Sequence, residues 1–235
     1  MKSSEIRKKL LAESESEYRD FSASLVPTFP RERVIGVRVP KLRRLAKELH
    51  KAGDVSEFLS ELPHEYLEEE HLHALIICEI KDFSECLFYI EKLLPHLDNW
   101  ASCDSLRPKC FSDNKEGLFS HVREWVASPH TYTARFGIEM LMIHYMDDAS
   151  VRDHLDTVAA LHPDDYYLRM MIAWYFATAL TLRYSEAIGY IEARRLDTWT
   201  HNKAIQKACE SRAVSSDRKC YLRTLKIKNG GKHDA

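Results

Sequence analysis

Tyr132-Thr133-Ala134-Arg135, Tyr166-Tyr167-Leu168-Arg169 and Thr200-His201-Asn202-Lys203 recur at a spacing of 34 residues, and their recurrence decides the fold. Each stands near the start of an apolar-periodic segment, and Pro129 and Pro163 precede the first two at the same offset. A repeat of this kind is one pair of helices that buries its apolar face by stacking on neighbouring pairs. The period is shorter than the roughly 40 residues usual for HEAT repeats, but helix-pair repeats overlap in length. The predicted fold is all-α, an α-solenoid of stacked antiparallel helix pairs of the HEAT-like or ARM-like kind. Equivalent positions in stacked repeats form a row. Arg135, Arg169 and Lys203 would then be a basic ladder spaced for successive phosphates. The alternative is that each pairs with an acid in the neighbouring repeat.

Composition points the same way. Of 235 residues, 7 are Gly and 8 are Pro. Glycine at about half of ordinary usage is too scarce for a turn-rich β fold or for most nucleotide-binding α/β folds. Long stretches rich in Leu, Glu, Lys, Arg and Ala favour helices. Working outward from the repeats, helices are predicted over residues 115–127, 131–145, 151–161, 164–182, 185–194, 200–212 and 216–227. On the N-terminal side they fall at 65–80, 84–94 and 99–106, after one long opening helix over 3–25. Between these lies an extended segment, 31–40, whose Pro40 suits the first turn of a helix over 41–51. Gly53-Asp54 ends that helix and caps the next, which runs to about Leu62. Residues 1–228 are expected to form one domain, with 229–235 as a disordered tail.

The net charge of -2 carries no hint of a partner, but its distribution does. Residues 31–51 hold eight Lys or Arg against two acids, and residues 192–235 hold eleven against five, +6 in each case. The rest must carry -14, so two positive faces sit on an acidic body. Arg38, Lys41, Arg43 and Arg44 in the first basic run are candidate phosphate contacts; a solvated helix face is the plainer reading. Six cysteines without a CxxC pair, and no secretory leader, suggest reduced, buried thiols in a cytoplasmic protein. The apolar runs are too short to span a membrane. His71 and His73 lie two apart and so on different sides of a helix, which argues against a metal site. No cofactor is expected.

Two aromatic positions stand out. Trp100 and Asp104 are four apart, so on a helix a ring and a carboxylate share one face. They could face a nucleic-acid backbone, or be a core Trp beside an Asp that meets Arg107. In the helix over 164–182, Leu168, Met171, Ile172, Tyr175, Phe176 and Ala179 form the apolar stripe. At about 100° per residue, Trp174 lies roughly 125° from its centre. That placement favours a cleft over the core. Trp125 and Trp199 are read as structural.

Gly36-Val37-Arg38-Val39-Pro40-Lys41-Leu42-Arg43-Arg44-Leu45-Ala46-Lys47-Glu48-Leu49 resembles the entry motif of the DNA alkylation repair family, the AlkD-like glycosylases built from HEAT-like repeats. Trp100-Ala101-Ser102-Cys103-Asp104 is similar to that family's Trp-x-Ser-x-Asp motif. Tyr167-Leu168-Arg169-Met170-Met171-Ile172-Ala173-Trp174 is similar to the segment that supplies its second functional Trp, and Arg135 falls in the helix that carries a DNA-contacting Arg. The resemblance implies a curved solenoid with a concave basic cleft, acting as a monomer. The implied partner is double-stranded DNA with alkylated bases, met in the bacterial cytoplasm and nucleoid without metal or membrane. It implies removal of cationic N3- or N7-alkylated purines without a deep base-flipping pocket. Trp100 and Trp174 would flank the deoxyribose, and Asp104 would be the catalytic carboxylate. The apolar continuation Tyr175-Phe176-Ala177 departs from the more charged segment expected there.

The chemistry fits the residue types. An alkylated purine is cationic and already a good leaving group, so charge builds on the sugar, where a carboxylate can stabilise it and position a water. An aromatic face attracts cationic or polarised C–H groups, worth about 0.5–2 kcal/mol each. Two alternatives remain on sequence alone: a non-catalytic HEAT-like protein binding distorted or branched DNA, and a solenoid that binds another protein.

Overall fold

The computed structural model of the protein describes residues 2–53 and 55–228. The expected cap at Asp54 and tail at 229–235 lie outside them. Among the described residues the fold is all-helical: 69% helix and 0% strand, with helices packed in pairs. The chain forms two compact units, the first ending at Phe119 and the second beginning at Ser120.

The first unit begins with α1 (Ser3–Ala12) and α2 (Ser16–Leu25), not the single opening helix that the sequence predicts. The break has a local cause. Ser14 Oγ donates to Ile35 O, and Glu15 N–H donates to Gly36 O at 2.9 Å, so this turn is tied to the extended segment ahead of α3 (Val39–Ala52). Gly36 permits the approach. Its φ is +91°, and a Cβ there would stand 2.6 Å from Arg19 Cβ and 2.7 Å from Glu15 O. Pro40 sits in the first turn of α3, where its missing N–H costs no hydrogen bond. A short α4 (Ser56–Ser60) leads to α5 (Leu67–Ile77), and α6 (Phe83–Leu93) and α7 (Trp100–Cys103) follow. The predicted helix over 99–106 is thus a single α turn, which Asn99 caps by accepting from Ser102 N–H at 2.8 Å.

Helix α5 is the centre of this unit and packs on α3, α6 and α7. All eleven of its residues are buried, five of them polar: Glu68, Glu69, Glu70, His71 and His73. Each carboxylate has its own client. Glu68 accepts from three consecutive backbone amides, Ile35 N at 2.8 Å, Gly36 N at 2.7 Å and Val37 N at 3.3 Å. Glu69 takes the Arg7 guanidinium at 2.7 Å and the amides of Glu65 and Tyr66. Glu70 accepts from Asn99 Nδ2 at 2.7 Å. The extended segment therefore has no strand partner and finds its acceptor in a side chain, as buried backbone amides require.

The second unit takes up α8 (Lys115–Val126), which crosses the boundary, and continues with α9 (Thr131–His144) and α10 (Val151–Ala159). Then follow α11 (Tyr166–Leu182), α12 (Tyr184–Glu192), α13 (Thr198–Glu210) and α14 (Ser216–Thr224). Helix α11 lies between α9 and α13, while α10 packs on α12, α12 on α11 and α14 on α13. This gives an inner layer of α9, α11 and α13 and an outer layer of α10, α12 and α14, the two-layer order expected of 34-residue helix pairs. Asp165 and Asp197 cap α11 and α13, each accepting from the two amides that follow by two and three residues. Gly137 lets α9 approach the end of α8: a Cβ there would lie 2.6 Å from Val126 N and 2.9 Å from Trp125 C.

Candidate functional site

Helix α7 sets the first cluster. Asp104 N–H donates to Trp100 O at 2.9 Å, so the two residues stand one helical turn apart, as their spacing predicts. Trp100 is half-buried. Its ring packs against Val26, Phe29, Val34 and Leu67, and its Nε1 donates to Leu25 O at 2.9 Å. The indole is therefore anchored along one edge. Asp104, also half-buried, lines a cavity of about 450 Å³ with Arg43, Lys47, Glu79, Ser105, Arg107 and Lys109. Four cations face two acids there, a formal +2. Arg107, the alternative partner for Asp104 on sequence grounds, lies in the wall of the same cavity.

The wall around Asp104 is fixed by neutral groups. His71 Nε2 and Ser105 Oγ are 2.8 Å apart, and Ser105 Oγ donates to Ala101 O at 2.8 Å. That arrangement puts the imidazole proton on Nε2. Burial drops His71 to about 4, so the ring is uncharged at neutral pH. Cys78 Sγ accepts from Arg107 N–H at 3.0 Å. Burial pushes its thiol up to about 12, which makes it a poor nucleophile despite its place in the cavity.

The basic run over 31–51 divides between two faces of α3. Arg43 and Lys47 are one turn apart and reach the Asp104 cavity. Lys41 instead meets Glu13 at 2.8 Å and Glu15 at 3.1 Å, Arg38 meets Glu15 at 2.8 Å, and Arg44 meets Glu13 at 3.4 Å. These pairs hold Glu13 and Glu15 below the usual carboxylate range and Lys41 above its own, chiefly through hydrogen bonds. Lys47 was legible in the sequence as the residue four beyond Arg43. Arg107 and Lys109 flank Pro108 with no periodic signal, although the position of Lys109 just after a helix-ending proline suggests a phosphate contact, and both line the cavity.

In the second unit the three rungs of the ladder take different roles. Arg135 is buried, 4% exposed, and Nη1 donates to Tyr167 O at 2.7 Å, so it straps α9 to α11. Arg169 Nη2 meets Asp197 Oδ1 at 2.5 Å, and its guanidinium lies 4.8 Å from the Trp199 ring centroid. Lys203 Nζ approaches the same ring at 5.7 Å. Arg169, Asp197, Trp199, Asn202, Lys203 and Lys226 line a second cavity of about 470 Å³. Arg169 thus pairs with the next repeat's capping acid and also borders a basic cavity with Lys203, whereas the buried Arg135 does not share that setting. Trp199, expected to be structural, is half-buried at this cavity, whereas Trp125 is core. Trp174 is half-buried in a helix whose neighbours Ala173, Tyr175 and Phe176 are fully buried. It lines a third cavity, of about 330 Å³, with Thr178, Thr181, Leu182 and Lys207. The off-stripe placement of Trp174 is what the sequence predicts, and the apolar residues after it go to the core.

Among the described residues no group of three or more His, Cys, Asp or Glu side chains is arranged to hold a metal ion, and no helix is long and apolar enough to cross a membrane. A family model described as DNA alkylation repair enzyme matches residues 6–207. A comparison with curated proteins gives no match.

Proposed function

This chain belongs to the DNA alkylation repair enzyme family, and on that premise we propose that it hydrolyses the N-glycosidic bond of N3- and N7-alkylated purines in duplex DNA. The observation that carries the proposal is the cavity in which Asp104 stands among Arg43, Lys47, Arg107 and Lys109. A carboxylate ringed by cations suits a deoxyribose flanked by phosphates. The cations hold the backbone in place by charge, and the carboxylate meets the one part of the substrate that becomes positive.

In the reaction the C1′–N bond breaks and its electron pair returns to the purine ring, cancelling the positive charge that alkylation created. Positive charge passes to C1′ and the ring oxygen of the sugar, where Asp104 stabilises it. A water oxygen then bonds to C1′, and its proton passes to Asp104 or to solvent. A leaving base that departs neutral needs no general acid, so one carboxylate suffices. Trp100 offers the sugar a ring held by its Nε1 bond to Leu25 O. Within the second unit, Trp174 beside Lys207, and Trp199 beside Arg169 and Lys203, offer DNA the same combination of ring and cation.

Release of N7-methylguanine and N3-methyladenine from methylated duplex DNA tests the reading. The wild type should release both, and Asp104→Asn should lose release by about a hundredfold or more while keeping its duplex affinity, as expected for a group that acts on the transition state. Salt-dependent duplex binding without any release by the wild type would refute the glycosylase and leave a non-catalytic DNA-binding protein.

A further inference from the structure

Asn99 is the residue around which the Trp100–Asp104 turn is built, and all three of its polar functions are engaged. Its Oδ1 accepts from Ser102 N–H at 2.8 Å, which caps α7. Its Nδ2 group donates to Glu70 Oε2 at 2.7 Å and to Asp98 Oδ1 at 3.3 Å. Asn99 is fully buried and Glu70 is 3% exposed. One turn of α5 therefore grips the α7 turn at both ends, Glu70 at Asn99 and His71 at Ser105.

We propose that Glu70 is a positioning residue for the reaction, acting through Asn99 to hold Trp100 and Asp104 in register with the α3 cations. The proposal rests on the glycosylase reading for its consequence in activity, and on the hydrogen-bond geometry for the device itself. The amide of Asn99 bridges two carboxyl groups, and the arrangement is stable when one of them is uncharged. Glu70 is that one. Burial raises it to about 8, and the nearby Asp98 carboxylate adds to the effect. The other groups facing it are Arg33 from the extended segment, which opposes the shift, and Glu69 on its own helix, which supports it. Above about pH 8 Glu70 ionises beside Asp98. The Asn99 hydrogen bond favours that charged form, but two negative charges then repel each other across one buried amide, which strains the turn.

Two readouts test this, one of which needs no base release. The indole N–H resonance of Trp100, assigned with Trp100→Phe, reports the turn directly, and release of N7-methylguanine is followed from pH 6 to 9. Glu70→Gln keeps an uncharged acceptor for Asn99, so its Trp100 resonance should match the wild type, as should its release at pH 7. Its release relative to the wild type should then rise above pH 8, where the wild-type Glu70 ionises. Glu70→Leu should shift and broaden the resonance and lower release by about ten- to a hundredfold, the effect of misplacing a catalytic group by about an ångström. Asn99→Ser retains a cap for Ser102 but cannot reach Glu70; it should shift and broaden the resonance in the same way, and it decides the question where Glu70→Leu does not fold. An unchanged Trp100 resonance in both Glu70→Leu and Asn99→Ser would overturn the proposal, as would Glu70→Gln behaving like Glu70→Leu. If the wild type releases no base, the glycosylase reading falls, and the resonance alone decides whether Glu70 holds the turn.

Discussion

Glu68→Ala should be among the most destabilising single substitutions in the first unit. Glu68 is 2% exposed and supplies the acceptor for three buried amides, at 2.8, 2.7 and 3.3 Å. A buried donor stripped of its partner costs about 1–3 kcal/mol. Two strong bonds and one long one then suggest about 3–5 kcal/mol, a large share of the roughly 5–15 kcal/mol that holds a domain together. Glu68→Gln sharpens the test. With its oxygen kept toward Gly36 and Val37, its amide nitrogen would confront Ile35 N–H, donor against donor. One amide is left without an acceptor, so the expected cost is about 2 kcal/mol. Urea unfolding followed by circular dichroism, with the slope unchanged, gives both numbers. A Glu68→Ala midpoint within about 1 kcal/mol of the wild type would refute the reasoning, because residues 35–37 would then have found other acceptors. Equal losses in the two variants would equally contradict the assigned oxygens.

Glu70 should give the protein an unusual pH dependence. Its folded value of about 8 exceeds the ordinary 4.5, so the folded state holds the extra proton between the two, and stability falls as pH rises through that window. Against Glu70→Gln, the wild type should lose stability steadily as pH rises from about 5 to 8, and parallel unfolding curves across that range would contradict it. Gly137→Ala should destabilise by about 2 kcal/mol in denaturant melts. Crowding against the backbone of Trp125 and Val126 costs about 3, and better helix propensity returns about 1. Neutral or positive effects would show that α9 and α8 have room. Replacing Arg43, Lys47 and Lys109 with Gln should flatten the dependence of log affinity on log salt by about 0.9 for each phosphate no longer neutralised, measured by duplex titration. Unchanged slopes would remove the Asp104 cavity from the DNA-binding surface.

How much of this was legible in the sequence can be judged residue by residue. Helical periodicity and the 34-residue recurrence reached the fold class and the order of helices in the second unit, because local pattern decides both. The off-stripe angle of Trp174 and the one-turn offset of Trp100 and Asp104 were likewise local facts. What was hidden was long-range. The break at Glu13–Glu15 depends on backbone bonds to Ile35 and Gly36, some twenty residues away, and helix propensity contains nothing of that. The division of the α3 cations into Arg43 and Lys47 on one side and Lys41 and Arg44 on the other follows from where Glu13 and Glu15 happen to fold. The burial of Arg135 beside the open setting of Lys203 shows that equivalent repeat positions need not share an environment. Glu68, Glu69 and Glu70 stand in the first turn of α5, where carboxylates are ordinarily solvated, and are its buried anchor points.

That buried polar helix also has a consequence for how the chain is made. The clients of α5 lie on both sides of it in time: Arg7 and residues 35–37 are synthesised before it, Asn99 and Ser105 well after. Domains tend to fold as units while synthesis proceeds. Until Ser105 has emerged, the Glu70 carboxyl and the His71 imidazole lack the protein partners that hold them in the folded unit. The full set of partners for α5 thus exists only once the turn that bears Trp100 and Asp104 has been made.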